Sequence, residues 1–190
     1  MEKKRIIIGA TGASGLPILH TCLDLIRDAE EYESYLIMSD SAKITLQQET
    51  SYTVEEICQS ADHVLNMTEI GAAPASGSFH TAGMLIVPCS MKTIAGIHSG
   101  YAENLILRAA DVTIKEQRPL VLAARETPLS QVHLRNLYEL SMLPGVRIIP
   151  PMMTFYHRPD NIEEMIYHTA AKLVEPFGIE AKRYRRWNGL

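Results

Sequence analysis

The sequence predicts an α/β protein: a doubly wound, three-layer parallel sheet in a single domain spanning 1–190. Three observations predict it. Short apolar runs alternate with amphipathic stretches along the whole chain, and every connection is long enough for a crossover. Residues 84–87, Met-Leu-Ile-Val, are apolar at each position, as a strand buried on both faces requires. The runs also end repeatedly in small polar or charged residues, at Ser14, Ser39, Ser90 and Arg125, and a parallel sheet gathers such ends along the edge where open α/β sheets take ligands.

In chain order, residues 5–8 read as the first strand. A glycine-rich turn follows, Gly9-Ala10-Thr11-Gly12-Ala13-Ser14-Gly15, and then a helix over 17–28 with Ile18, Cys22, Leu25 and Ile26 on its apolar side. The turn is G-x-x-G-x-x-G rather than the dinucleotide G-x-G-x-x-G. It therefore suits a mononucleotide phosphate or a flavin as well as a nicotinamide cofactor. Residues 35–38 form the second strand, closed by Ser39 and Asp40. A helix over 41–49 comes next, then one over 53–61 opened by the capping box Thr53-x-x-Glu56. A short strand is placed at 64–66, within a loop. The buried strand at 84–87 is expected to stop at Pro88, which cannot donate to a ladder. Cys89, Ser90, Lys92 and Thr93 then stand where strand hands over to helix. The longest helical pattern covers 101–117. A strand at 119–124, a helix at 130–143, a strand at 146–149 and a helix at 161–174 complete the alternation.

Composition narrows the function. A net charge of −4 argues against nucleic-acid or anionic-membrane partners. Cys22, Cys58 and Cys89 cannot all pair and lack metal-ligand spacing, which favours a reducing, cytoplasmic location. The apolar start breaks on glycines too soon for a signal peptide, and no run approaches the ~20 residues of a membrane span. The seven histidines form no metal motif, and no G-x-S-x-G elbow is present. Cys89 suits a buried packing role better than a nucleophile's. Taken by themselves, Glu49 reads as a solvated carboxylate and the basic, aromatic tail as solvated or gripping another subunit. Arg108 and Lys115, seven apart, either form a salt-bridge ladder with Asp111 or aim two cations at an anion.

Read together, several motifs resemble the UbiX-like flavin prenyltransferase family. They are Gly12-Ala13-Ser14-Gly15, Ser76-Gly77-Ser78-Phe79, Pro88-Cys89-Ser90-Met91-Lys92-Thr93, Arg108-Ala109-Ala110-Asp111-Val112, Arg125-Glu126-Thr127-Pro128-Leu129, and Pro150-Pro151 with Phe155-Tyr156. The resemblance implies a flavodoxin-like fold, a homododecamer, and metal-independent transfer of a dimethylallyl group from dimethylallyl monophosphate to reduced FMN. The product, prenylated FMN, would serve a UbiD-like decarboxylase. By the same resemblance Gly12, Ala13, Ser14, Ser39, Ser90, Met91, Lys92, Thr93 and Arg125 bind FMN. Lys115, Tyr156 and Lys172 hold the donor phosphate, with Arg108 reaching in from a neighbouring subunit. Glu49, Glu126 and Ser14 act in catalysis. Lys172 stands where relatives often carry Arg, and Met152-Met153-Thr154 where Met-Pro-Ala is more usual. The tail over 178–190 is expected to pack on a neighbouring subunit. The rivals are a non-catalytic flavin carrier and a related flavin-dependent decarboxylase, such as the cysteine decarboxylases, from which the Cys89-Ser90-Met91 loop departs.

Overall fold

Six parallel strands lie in the order β3-β2-β1-β4-β5-β6. The computed structural model describes residues 2–189; Met1 and Leu190, the last residue of the tail, lie outside the described residues. The strands are β1 (Lys4–Ala10), β2 (Tyr32–Met38), β3 (His63–Leu65), β4 (Gly83–Cys89), β5 (Leu120–Ala124) and β6 (Val146–Ile148). The helices are α1 (Leu16–Arg27), α2 (Asp40–Glu49), α3 (Val54–Gln59), α4 (Met91–His98), α5 (Leu105–Lys115), α6 (Gln131–Ser141) and α7 (Ile162–Val174). Without the three-residue edge strand β3, this is the flavodoxin-type order; with it, the dinucleotide-type order. In both, the order in which successive strands are added reverses between β1 and β4, so a ligand crevice opens there.

Hydrophobic patterning sorts the helices into two outer layers. Leu16, Leu19, Leu23 and Ile26 of α1 pack with Ala170, Leu173 and Val174 of α7 against one face of β1, β2 and β4. On the other face Ile94, Ile106, Ala109 and Leu140, from α4, α5 and α6, cover Ile7, Met84, Ile86 and Leu122. All seven residues of β4 are buried, as a strand covered on both sides demands.

Some boundaries differ from those the sequence predicts. β4 runs through Pro88 to Cys89, with its pairing to β5 shifting register between Ile86 and Cys89. The irregularity accommodates the missing proline N–H, while the Pro88 carbonyl still accepts, so the strand does not stop there. α5 starts at Leu105 rather than near Tyr101. Asn104 caps it by accepting from the Leu107 N–H at 3.0 Å, which leaves residues 101–103 outside the helix. The Thr53–Glu56 capping box forms as the spacing predicts.

Candidate active site at the carboxyl edge of the sheet

The ends of four strands are tied to one another beyond the sheet itself. The Ser39 N–H donates to the Ala10 carbonyl at 3.0 Å, Thr11 N–H to the Pro88 carbonyl at 3.1 Å, and Arg125 N–H to the Cys89 carbonyl at 3.1 Å. The Thr11 hydroxyl adds a donation to the Pro88 carbonyl at 2.9 Å and accepts from the Ser90 N–H at 2.8 Å. Thr11 was not singled out from the sequence; its only signal was a hydroxyl inside the glycine-rich turn. These bonds fix the switch-point loops as one backbone surface.

A cleft of about 500 Å³ opens on that surface, lined by Thr11, Gly12, Ser39, Lys92, Thr93 and Asn104 among others. Three helices start at it. Ser39 caps α2 through Ala42 N–H at 3.1 Å, Ser90 caps α4 through Thr93 N–H at 3.4 Å, and Asn104 caps α5. Each cap satisfies one amide of its first turn; α2 and α4 leave their earlier ones for a ligand, whereas in α5 the Leu105 N–H donates to the Met67 carbonyl at 2.9 Å, and the helix dipoles favour an anion. Gly12 has no room for more: a Cβ there would lie 2.4 Å from Ser41 Cβ. Ala13 and Met91 are buried, so only their backbone faces this edge, whereas Lys92 is exposed and free to bring a positive charge. This donor set suits the phosphate of a mononucleotide such as FMN.

A second cleft, about 420 Å³, lies on the other side of the Gly12-Ala13-Ser14 turn. Ser14, Glu49, Arg125 and Thr169 supply its polar side chains, and Ile18, Met153, Ile162 and Met165 give it an apolar wall. Ile18 is only partly buried: it packs against the α1 core and also lines this cleft. Glu49 has a defined place: its Oε2 accepts from the Gly15 and Leu16 N–H groups, both at 2.9 Å. Gly15, at φ 130°, offers no side-chain cap to α1, and the carboxylate 34 residues later does that work. The bland reading of Glu49 as a solvated carboxylate is thus overturned. Glu126 is exposed, with its Oε1 accepting from the Thr127 N–H at 2.9 Å, and does not line the cleft. Cys89 is fully buried, and burial pushes its thiol far up from the ordinary value, which agrees with packing rather than nucleophilic attack.

A family model described as Flavoprotein matches residues 1–175. Flavin prenyltransferase LpdB of Lactiplantibacillus plantarum is 47% identical over 186 residues, 98% of this chain and 99% of that protein. The chain belongs to the UbiX-like flavin prenyltransferase family. AnUbiX, solved in complex with FMN and dimethylallyl pyrophosphate, superposes with a TM-score of 0.96 at 41% identity, covering 100% of both chains. A dodecameric FMN-dependent Ubix-like decarboxylase from Escherichia coli O157:H7 gives a TM-score of 0.95 at 44% identity, covering 97% of this chain and 100% of that one. The family and fold expected from the motifs are borne out.

The remaining residues that the UbiX-like motifs single out are not gathered by one protomer. Lys172 lies on α7 at helical spacing from Met165 and Thr169 of the second cleft, and its ammonium donates to Glu175 Oε2 at 2.6 Å. Tyr156 is 43% exposed. Loss of hydration is the largest cause pushing its phenol up; the neighbouring Lys172 and Arg186 charges oppose it. Arg108 and Lys115 are on α5, in the opposite helical layer from α7. Arg108 pairs with Asp111 at 2.8 Å and donates to the Ala75 carbonyl at 3.3 Å, whereas Lys115 pairs with Glu116 at 3.4 Å. Of the two arrangements that the spacing left open, half of the salt-bridge ladder therefore forms. Arg118, passed over in the sequence, donates to the Gly77 and Phe79 carbonyls at 2.7 and 2.8 Å and pins the Ser76-Gly77-Ser78-Phe79 turn beside Lys115. The tail folds back on its own chain: Arg183 lies 3.9 Å from the Tyr167 ring centroid and Arg186 pairs with Glu175, while Trp187 stays 58% exposed.

Among the described residues, no group of three or more His, Cys, Asp and Glu side chains is arranged to hold a metal, and no helix is long and apolar enough to cross a membrane.

Proposed function

We propose that this protein transfers a dimethylallyl group from dimethylallyl monophosphate to reduced FMN, at N5 and then by ring closure at C6, giving prenylated FMN. The observation that carries the proposal is the pairing, across one glycine-rich turn, of a cleft built for phosphate with an apolar cleft holding a carboxylate and a guanidinium. The AnUbiX complex with FMN and dimethylallyl pyrophosphate supports a flavin and a dimethylallyl phosphate in the same architecture.

Gly12, Ala13, Ser39, Ser90, Met91, Lys92 and Thr93 would hold FMN at the phosphate-type cleft, with Ser14 and Arg125 facing its reactive end. Bound reduced FMN supplies a nucleophilic nitrogen, and the allylic C–O bond breaks with its electron pair leaving on phosphate. Lys115, Tyr156, Lys172 and Arg108 would hold that phosphate, where fixed positive charge stabilises the developing negative charge. Glu49 is suited to take up a proton at Oε1, since Oε2 is engaged by two amides that also fix the carboxylate's direction. Ser14, at the mouth of the same cleft, would orient the group that loses the proton. Glu126 would take part after releasing the Thr127 N–H. The apolar wall of Ile18, Met153, Ile162 and Met165 suits a five-carbon chain and keeps water from the allylic carbon.

Because α5 and α7 lie on opposite faces of the sheet, Arg108 and Lys115 would come from a neighbouring subunit, and the site would be complete only in an oligomer. The dodecameric E. coli relative supports such an assembly. In it the chain acts as a single flavin-binding domain over 1–190, with the tail from 178 on meeting a neighbour through the exposed Trp187. A cytoplasmic enzyme of this kind would pass its product to a UbiD-like decarboxylase without needing a metal. A carrier would need only the phosphate-type cleft, leaving the Glu49 and Arg125 cleft without a task.

Anaerobic incubation with reduced FMN and dimethylallyl monophosphate, followed by mass spectrometry of the extracted flavin, tests the proposal. A flavin heavier by one five-carbon unit, lost in Glu126→Gln, is expected. Unmodified flavin that remains tightly bound to a folded oligomer would replace the transferase with a carrier.

A further inference from the structure

His157 and His168 belong to neither cleft. Their rings stack at 3.9 Å with an interplanar angle of 5°, and Tyr156 meets both edge-on at 5.6 and 5.5 Å. The partners of each nitrogen assign the hydrogens. His168 Nε2 lies 3.1 Å from the Arg185 carbonyl, which only accepts, so this nitrogen donates. In the neutral ring Nδ1 is then an acceptor, and the Thr154 hydroxyl, 3.3 Å away, donates to it. The hydroxyl oxygen is left to accept from His157 Nδ1 at 3.5 Å, which makes His157 Nε2 a bare acceptor. That nitrogen is indeed buried without a partner.

The surroundings disfavour a positive charge on His168. Glu164 and Tyr167 face the pair from α7, and Lys182, Arg183, Tyr184 and Arg185 face it from the tail, so positive side chains outnumber the one carboxylate. Loss of hydration is the largest cause holding His168 below the ordinary histidine range; the His157 and Arg185 charges add to it, and the Arg185 carbonyl opposes. Proton-sharing across Thr154 locks the 154–157 segment to α7, and the Arg185 carbonyl extends the lock to the tail.

We propose that Thr154, His157 and His168 form a hydrogen-bonded, stacked platform that positions Tyr156 for the donor phosphate and seats the tail beside it. The platform rests on the prenyltransferase reading, since it deepens the role given there to Tyr156. None of its three members touches the reacting atoms; they are positioning residues.

The test is calorimetric titration of dimethylallyl monophosphate into the FMN-loaded oligomer, together with steady-state turnover, for the natural protein, Thr154→Ala and Thr154→Ser. Thr154→Ala removes the shared hydroxyl; donor binding is expected to weaken about tenfold, the size of one lost hydrogen bond that orders a contact residue. Donor KM should rise by the same factor with kcat and FMN affinity essentially unchanged, and Thr154→Ser should restore it. Equal donor affinity in the natural protein and Thr154→Ala would overturn the platform and leave the transferase standing. An equal loss in Thr154→Ala and Thr154→Ser, with lowered melting in both, would reduce Thr154 to packing and also overturn it. A natural protein that neither binds the donor nor prenylates flavin would overturn both readings.

Discussion

Replacing Glu49 with Gln separates the capping of α1 from the proton transfer proposed for the same side chain. The carboxylate oxygen Oε2 holds the first amides of α1, from Gly15 and Leu16, at 2.9 Å each. A hydrogen bond to a charged group contributes about 1.5–3 kcal/mol against about 1 for a neutral one. An anion at a helix N-terminus adds about 0.3–1 kcal/mol. Glu49→Gln keeps an acceptor oxygen in place but removes the charge, and Glu49 is only partly buried, so the loss is about 1–2 kcal/mol. For a chain of this size each kcal/mol shifts the melting midpoint by roughly 2–4 °C, which predicts a fall of about 2–8 °C. The midpoint is read by differential scanning calorimetry at equal protomer concentration, because subunit association also stabilises the fold. Turnover is then measured well below both midpoints, where the stability loss no longer matters. A carboxylate that moves a proton should cost about 10²–10⁴-fold in kcat when lost. A midpoint within 1 °C of the natural protein's would refute the anchoring of α1. A kcat within about threefold would refute the proton-transfer role and leave Glu49 as a helix cap alone.

Two further outcomes follow from the geometry. Gly12→Ala puts a methyl group 2.4 Å from Ser41 Cβ, so the first turn of α2 must move; FMN affinity, read from flavin fluorescence, should fall by at least about tenfold, and an unchanged affinity would disconnect Gly12 from the cleft. Cys22 and Cys89 are fully buried with their thiols pushed up, and Cys58 is only partly buried, so a native thiol titration should modify Cys58 alone and slowly, with all three reacting after unfolding; rapid modification of Cys89 would reinstate it as a reactive group.

The architecture was legible because it is carried by local patterns. Apolar runs closed by Ser39, Ser90 and Arg125 marked parallel strands, and Thr53 with Glu56 marked a helix start that needs only four consecutive residues. Reading failed where one long-range contact outweighed a local rule. Pro88 looked like a strand end, yet the Pro88 carbonyl is taken by Thr11 77 residues earlier, and the strand continues to Cys89 through a shift of register. Glu49 could not be recognised as the cap of α1 because its partners, Gly15 and Leu16, lie on a different element. The shared hydroxyl of Thr154 was invisible for the same reason, since His168 approaches it from α7. Arg108 and Lys115 were left open by their spacing, and Asp111 in fact claims only Arg108.

The bonds that join Ala10 to Ser39, Thr11 to Pro88 and Cys89 to Arg125 run from main chain to main chain. Beyond Gly12, the Thr11 hydroxyl and the capping side chains of Ser39, Ser90 and Asn104, a cradle held that way depends little on the side chains around its rim, because exchanging them leaves its own N–H and C=O groups where they were. Under the proposed function, such a protein could change what enters the apolar cleft, through residues like Met153 or Ile162, while its grip on the flavin phosphate stays the same. Substrate range and cofactor retention are thereby free to diverge on separate evolutionary clocks.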